Sequence, residues 1–402
     1  MIAVTWAALA FANGQSTHIW ITREAIARLP AGELKNFASD PAVERALIAG
    51  AMFPDGGYAV DHPYGEAAHW EPFHDAYLAW IADTYDPPYT GAAALHAAFL
   101  LGLASHGMAD ETFDAHYFTW SRETDAAYGW AENKSFDEAS DVIWCSRYGA
   151  QPRPADPFVP YDVFVDLFAD QGIAVDRATM EDGYSALELA VDLVGFLSTA
   201  PDAVATYEAQ FPWGGAHLDD PAFPGNPPDE ANWVAAHWGG LWEQLHGGTQ
   251  PAFTLGIVPT PDERWGISRD HTSERSAVSV IVARGLHDAL VGADDFAVAT
   301  ADGTPVAVEA DVYYGENSHV IRLRPIEDWP AADLSATLLA GFDAATDGSA
   351  PPADFRWEFS TLPAPEAAQG GCATNGAAWP GWAALVTGWG ASWSRTRSRR
   401  AR

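Results

Sequence analysis

The sequence feature that most constrains this chain is an apolar stretch at residues 92–104 that runs directly into histidines and acids. Alanine, leucine and phenylalanine fill almost every position of the stretch. A helix that is apolar on all sides has to be buried, so the stretch predicts the central helix of a fold. His106, Asp110 and His116 follow at once, and buried ionisable groups need charged partners or a metal ion.

The spacing of these three residues predicts metal ligation. His106 and Asp110 are four residues apart, so they project from one helical face and can give one ion an imidazole nitrogen and a carboxylate oxygen. His116 lies about 80° further round an ideal helix and is expected to reach a second ion nearby. A His–Asp pair at this spacing often arises by chance, and its position after a buried helix is what makes it informative.

Three earlier segments offer further polar groups. His18 opens the first predicted helix, Asp55 lies in a Pro-Asp-Gly turn, and His69 precedes another predicted helix. Each segment alone carries little information, because a single histidine is most often structural and Pro-Asp-Gly is a common turn.

The character of the chain changes near residue 250. Helical patterns fill residues 14–248, at 19–28, 72–83, 92–104, 185–198 and 229–245. Short β-rich segments then follow at 276–282, 296–300, 306–314, 320–324, 334–340 and 355–361. Strands at this spacing predict a β-sandwich over residues 251–362. The closing Phe-x-x-x-Phe-Ser-Thr pattern resembles SbsA-type bacterial Ig-like domains, for which a spacer or adhesive role is the default interpretation.

Composition excludes several classes of protein. The formal net charge of −34 repels phosphate backbones, so no nucleic-acid partner is expected. The two cysteines, Cys145 and Cys372, are far apart in unlike surroundings, which excludes a disulfide-stapled fold and a thiolate metal cluster. The body of the chain has no unbroken apolar run of about 20 residues, so a polytopic membrane protein is not expected.

Both ends of the chain are typical of an exported protein. Residues 1–12 are mostly apolar and end in Ala-x-Ala, which predicts a signal peptide; a buried first helix or a misassigned start codon are the alternatives. Residues 363–402 contain Cys372, a weakly apolar stretch and five arginines. That order resembles MYXO-CTERM-like sorting tails, and a solvated disordered tail is the alternative. A secreted or cell-surface protein is therefore expected.

Taken together, the four polar segments resemble the zinc-dependent phospholipase C family, which includes the N-terminal domain of glycosylphosphatidylinositol-specific phospholipase D. The matching segments are STHIWITREAI, AGAMFPDGGY, HWEPF and FLLGLASHGMADETFDAH, in the family's order. The resemblance implies an all-α zinc phospholipase C/nuclease-like helical bundle over residues 13–248. The expected chain is thus multidomain, with this bundle followed by an Ig-like β-sandwich.

The resemblance also implies a cluster of two or three zinc ions at one end of the bundle. His69, His106 and Asp55 would hold one zinc, and Asp110 would bridge to the next. His18 would hold that neighbour together with the mature amino terminus, which cleavage after residue 12 would place at Asn13.

A third zinc would use His116 and a later helix. The register Asn133-x-x-x-Asp137-x-x-x-Asp141 fits that helix, but it has Asn133 where the family has histidine. Since an amide oxygen is a poor zinc ligand, the third ion is expected to be weak, replaced by a harder metal, or absent.

The function that this resemblance implies is hydrolysis of a phospholipid or other phosphodiester, with Asp55 as the catalytic carboxylate. A membrane surface would be met through the substrate and the C-terminal tail. The alternatives are a single-strand nuclease of the same superfamily and a surface-displayed binding protein with a degenerate metal site. The sequence leaves the oligomeric state open.

The aromatic residues after the metal motif form either a cage for a choline-like cation or part of the core: Tyr117, Phe118, Trp120, Tyr128 and Trp130.

Overall fold

The computed structural model of the protein describes residues 14–128, 136–220, 223–248, 253–260 and 267–361. Five predicted features lie outside these residues: the signal peptide at 1–12, the sorting tail at 363–402, the ligands Asn13 and Asn133, and Trp130 of the aromatic set. The described residues belong to one compact unit that contains a helical region, residues 15–245, and a strand region, residues 254–360.

The predicted helical region is confirmed. Its described residues form fourteen α-helices: α1 (Gln15–Arg28), α2 (Glu33–Ala38), α3 (Pro41–Met52), α4 (Asp55–Ala59), α5 (Tyr64–Ala68), α6 (Glu71–Thr84), α7 (Ala92–Thr112), α8 (Thr119–Asp125), α9 (Phe136–Tyr148), α10 (Tyr161–Asp170), α11 (Arg177–Leu197), α12 (Pro201–Gln210), α13 (Pro212–His217) and α14 (Pro227–Leu245). A π-helix, Phe113–Phe118, joins α7 to α8.

Helix α7 is the central helix that its apolar sequence predicts. It packs against α1, α3, α6 and α14, and nearly all of its residues are buried. Among the described residues, one continuous helical run, 92–125, is long and apolar enough to cross a membrane, but 89% of its most apolar window is buried inside the molecule. Its apolar surface is therefore used for packing against the neighbouring helices.

The strand region contains seven described strands in two antiparallel sheets. One sheet has the order β1-β2-β5-β4 and the other has the order β3-β6-β7. Apolar side chains from both sheets share one buried cluster. The strand bounds are β1 (Thr254–Val258), β2 (Val278–Val282), β3 (Phe296–Thr300), β4 (Val308–Val312), β5 (Val320–Pro325), β6 (Asp333–Leu338) and β7 (Phe355–Ser360).

A buried carboxylate of α7 anchors the strand region to the helical region. Glu111 is fully buried and accepts hydrogen bonds from the Ser318 hydroxyl and from the backbone N–H groups of His319 and Val320, the last two at 2.6 Å. The His319 Nδ1 atom lies 3.1 Å from the same carboxylate. These partners lie at the start of β5, so the helix that carries His106 is joined directly to the sheet.

A second anchor is built around Arg284, which follows β2. Its guanidinium pairs with Glu71 at 3.0 Å, with Asp75 at 3.0 Å and with Asp347 at 3.1 Å. Glu71 also accepts from the Gly285 N–H and, at 3.0 Å, from the Thr346 hydroxyl. Because buried charges are costly unless paired, these contacts fix how the two regions meet.

Candidate metal centre

Four of the residues that the sequence singles out converge at one end of α7. Asp55 begins α4, His69 follows α5, and His106 and Asp110 lie on α7; one potential ligand atom from each lies within 4.8 Å of the others. All four side chains are buried. We call these residues the group of four.

Two glycines allow these turns and helices to approach closely enough. A Cβ atom on Gly57 would lie 2.1 Å from the backbone nitrogen of Gly65, so only glycine lets the turn after Asp55 meet the turn before His69. A Cβ atom on Gly107 would lie 2.3 Å from the carbonyl oxygen of His69. The glycine next to His106 therefore lets His69 reach α7.

The donor atoms of the group of four face one another. The Nε2 atoms of His69 and His106 are 3.0 Å apart. Asp55 Oδ1 lies 3.5 Å from Nε2 of His69 and 3.6 Å from Nε2 of His106. Asp110 Oδ2 lies 3.5 Å from Nε2 of His69 and 3.4 Å from Nε2 of His106. Two imidazoles and two carboxylates thus surround one point.

The other oxygen of Asp110 faces a fifth residue. Asp110 Oδ1 lies 3.0 Å from Nε2 of His18, whose ring stacks on His106 with centroids 4.0 Å apart. A carboxylate whose two oxygens face different imidazoles is suited to join two metal ions. The bridging role of Asp110 and the role of His18 as a ligand of the neighbouring ion stay predictions.

Backbone carbonyls orient two of these imidazoles. The Nδ1 atoms of His69 and His106 lie 2.6 Å from the carbonyl oxygens of Gly65 and Ala51, respectively. A carbonyl can only accept, so each Nδ1 carries a hydrogen and each Nε2 can offer its lone pair to the centre of the site. This is how metal-binding histidines are usually held.

Several buried atoms of the site form no well-directed hydrogen bond within the described residues. They include Asp55 Oδ1, and also His18 Nε2 and Asp110 Oδ1, which lie 3.0 Å apart as an ion pair without hydrogen-bond geometry. A buried polar atom without a partner costs about 1–3 kcal/mol, so the fold would not collect such atoms here without a ligand for them. Imidazole and carboxylate donors without thiolates suit zinc in a hydrolase, and the residues therefore fit the metal that the resemblance implies.

The electrostatics of the site favour a bound cation. Burial lowers the pKa of His106, but Asp110 and Asp55 outweigh burial and raise that pKa to about 10. In the same way the pKa of His69 rises to about 9. Burial would raise the pKa of Asp110, yet His106 and His18 hold it well below its usual value. A metal ion has to displace protons from these imidazoles, so its affinity falls as the pH falls.

Asp141 joins helix α9 to the start of helix α1. Its carboxylate accepts from the backbone N–H groups of Ser16 and Thr17, at 3.1 and 2.8 Å, and from the Thr17 hydroxyl at 2.8 Å. It therefore binds the first turn of α1 to α9. This contact positions His18, which lies one residue beyond Thr17.

The residues expected at the third ion are both buried. His116 lies in the π-helix, its Nδ1 is 2.8 Å from the Thr112 carbonyl, and its Nε2 has no hydrogen-bond partner among the described residues. Asp137 lies in the first turn of α9. Neither belongs to the group of four. With Asn133 outside the described residues, the third ion remains a prediction.

The structure adds residues around the site that the sequence analysis missed. The Gln15 side-chain amide donates to Asp55 Oδ2, and Gln15 lies three residues before His18 on α1, a spacing that could have identified it. The ring of Tyr58 lies 5.1 Å from that of His69. Glu111 is adjacent to Asp110, but only its partners in the strand region reveal its role.

The aromatic residues after the metal motif are divided between core and surface. Tyr117 and Trp120 are buried in one apolar cluster, against which Phe118 packs, so these three serve as core. Tyr128 is exposed, and Trp130 lies outside the described residues.

The strand region holds a second, exposed group of metal-ligand residue types, which the sequence analysis did not identify. Potential ligand atoms of Asp270, His271 and Asp328 lie within 4.8 Å of one another. His271 Nδ1 is 2.8 Å from Asp328, so an ordinary surface ion pair accounts for this arrangement.

The sequence model of the zinc-dependent phospholipase C family matches residues 17–147. Phosphatidylinositol-glycan-specific phospholipase D of Dictyostelium discoideum is 44% identical over 64 residues, which are 15% of this chain and 7% of that protein. The same enzyme of Mus musculus is 32% identical over 105 residues, 24% of this chain and 12% of that protein. The chain thus matches only a small part of the length of these relatives.

Among solved structures, the S-layer protein SbsC aligns over 82% of this chain and 46% of the SbsC chain. The identity is 9% and the TM-score is 0.22, which is too low to support a shared fold.

The family match covers His18 and the whole group of four. The similarity to the zinc-dependent phospholipase C family therefore lies in residues 17–147, which contain the whole candidate site.

Proposed function

We propose that this protein is an exported zinc-dependent phosphodiesterase that hydrolyses phospholipids by phospholipase C-type cleavage. The observation that carries the proposal is the buried arrangement in which Asp110 faces His69 and His106 with one oxygen and His18 with the other. The family match and the similarity to phospholipase D enzymes support a phospholipid-related substrate.

The residues have distinct tasks in this proposal. His69, His106 and Asp55 would hold one zinc, Asp110 would bridge, and His18 would hold the next. Zinc, when bound, supplies a Lewis acid and lowers the pKa of water to about 7. Asp55 is the residue proposed to position the attacking water and take its proton, because Gln15 fixes its Oδ2 while Oδ1 faces the centre of the site.

The reaction balances without any redox partner. The water oxygen bonds to phosphorus, the bond from phosphorus to the diacylglycerol oxygen breaks, and the proton from water ends on that oxygen. The products are a diacylglycerol and a phosphorylated headgroup. A nuclease reaction would use the same site chemistry, but the net charge of −34 disfavours a polyanionic substrate.

The experiment that tests the proposal measures bound metal and substrate choice together. Purified protein should contain at least two zinc ions and should release phosphorylcholine from phosphatidylcholine vesicles faster than it cleaves single-stranded DNA. Release of phosphatidic acid instead would assign D-type cleavage. Preference for DNA would assign a nuclease, and zinc without turnover of either substrate would favour a binding protein.

Export is part of the proposal and has its own prediction. Cleavage after residue 12 would make Asn13 the first residue, five positions before His18, where its amino group can join the second zinc. Mass spectrometry of exported protein should then show a chain that begins at Asn13. Blocking cleavage should weaken zinc at the His18 position, whereas full activity with a mature start far from His18 would rule out the chelating terminus.

The third ion gives a prediction about Asn133. If Asn133 occupies the family's histidine position, the ion at His116 and Asp137 has few strong donors and should be the first lost on mild chelation. Asn133→His should raise zinc affinity there and favour zinc over magnesium or calcium, as measured by calorimetric titration. Tight binding of three zinc ions by the wild type, or an unchanged affinity in the variant, would show that the register is wrong.

We also infer that the strand region is an Ig-like sandwich. The strand order supports this inference. The four-stranded sheet β1-β2-β5-β4 corresponds to the A-B-E-D sheet of constant-type Ig domains, and the three-stranded sheet β3-β6-β7 corresponds to their C-F-G sheet. The shared apolar cluster between the sheets gives the same support.

A further inference from the structure

All five side chains of the metal site are buried, but two of them reach the surface slightly more than the others. His18, Asp55 and His106 expose 1% of their surface or less, whereas His69 and Asp110 each expose 5%. The surroundings of His69 and Asp110 are therefore the part of the site nearest to solvent.

Three half-buried aromatic side chains lie along this part of the site; we call them the aromatic rim. The rings of Tyr58 and Trp70 lie 5.1 and 6.2 Å from that of His69, and the ring of Tyr314 lies 5.3 Å from that of Trp70. Glu66 accepts from the Tyr58 hydroxyl at 2.7 Å and from Trp70 Nε1 at 2.8 Å. These bonds hold two of the rings in place.

Tyr314 is the rim residue that comes from the strand region. It lies in the connection between β4 and β5, and its hydroxyl donates to Asp114, four residues after Asp110 on the same helical run. Glu111 binds the other end of that connection through residues 318–320. The position of Tyr314 relative to the metal site is therefore fixed at both ends.

We propose that Tyr314 is a specificity-determining residue and that the strand region supplies one wall of the entrance to the metal site. This inference rests on the proposed phosphodiesterase function. A substrate that brings its phosphorus to the group of four past His69 would lay its headgroup along the aromatic rim. Aromatic rings hold apolar and cationic groups against their faces, so the Tyr314 ring selects among headgroups.

Three variants of the full-length protein test this role. Tyr314→Phe keeps the ring and loses the hydroxyl, Tyr314→Leu keeps apolar volume and loses the aromatic face, and Tyr314→Ala loses both. We measure kcat and KM separately for p-nitrophenyl phosphorylcholine, which has a cationic headgroup, and for bis(p-nitrophenyl) phosphate, which has none. Bound zinc is measured in every variant.

The expected result is a change in substrate preference at constant zinc content. Tyr314→Ala and Tyr314→Leu should raise KM for p-nitrophenyl phosphorylcholine by roughly 5- to 30-fold, with a smaller change for bis(p-nitrophenyl) phosphate. Tyr314→Phe should stay within about threefold of the wild type for both substrates, because the ring remains.

Tyr148→Ala is the matched control, since it removes an exposed tyrosine whose hydroxyl bonds to Asp219 at 3.0 Å, outside the metal site and both anchors. It should leave KM for both substrates unchanged. Equal changes for both substrates in Tyr314→Ala and Tyr314→Leu, unchanged KM, or the same change in Tyr148→Ala would overturn the inference. A zinc-loaded wild type that hydrolyses neither substrate nor phosphatidylcholine would instead refute the proposed function, and this inference with it.

Discussion

Asp110→Ala is expected to lose zinc and to lose phosphodiester hydrolysis by more than about 100-fold. The carboxylate faces three imidazoles, with Oδ2 3.5 and 3.4 Å from His69 and His106 and Oδ1 3.0 Å from His18. Changing a group that merely orients a metal ligand costs roughly 10–100-fold in affinity or activity, so removing a ligand shared by two ions should cost more. Bound zinc, measured by atomic emission on purified protein, should fall together with turnover of phosphatidylcholine.

His106→Ala should behave in the same way, because it removes an imidazole from the centre of the group of four. His271→Ala is the matched control: it removes an exposed imidazole that pairs with Asp328 in the strand region. That control should keep its zinc and its activity. Full activity in Asp110→Ala or His106→Ala would contradict the assignment of the site.

The group of four could be predicted because its information is local. His106 and Asp110 are spaced for one helical face, and Asp55 and His69 lie in short segments next to diagnostic glycines and aromatics. The direction of His116 could not be predicted in the same way. The 80° estimate assumes an ideal α-helix, and the π-helix at Phe113–Phe118 turns less per residue.

The roles of Asp141 and Tyr314 depend on contacts between distant parts of the chain. Asp141 holds the first turn of α1, about 125 residues earlier in the chain. Tyr314 meets Asp114 across 200 residues. The strand segments were predicted well, apart from β1, but a pattern of strands does not reveal which face packs on the helices. A role as a spacer was therefore the default interpretation, whereas the buried anchors make the strand region part of the same unit.

Glu111→Ala is expected to lower the free energy of unfolding by about 3–5 kcal/mol, the usual cost of removing one partner of a buried charged interaction. The fully buried carboxylate accepts from Ser318 and from the backbone of His319 and Val320. Alanine would leave these donors buried without an acceptor, at about 1–3 kcal/mol each before the structure relaxes. Urea denaturation monitored by tryptophan fluorescence measures the loss.

Glu111→Ala also tests whether the helical and strand regions unfold as one cooperative unit. Glu111→Gln keeps an acceptor oxygen and should lose less, because it can still bond to the N–H groups at the start of β5. Asp347→Asn is the matched control, since it weakens a partly exposed pair with Arg284 at the other anchor and should cost about 1 kcal/mol or less. If Glu111→Ala cost no more than this control, the helical and strand regions would be independent modules. A large loss that accompanies weaker zinc binding would instead mean that β5 supports the helix that carries His106 and Asp110, since Glu111 is adjacent to Asp110 in the sequence.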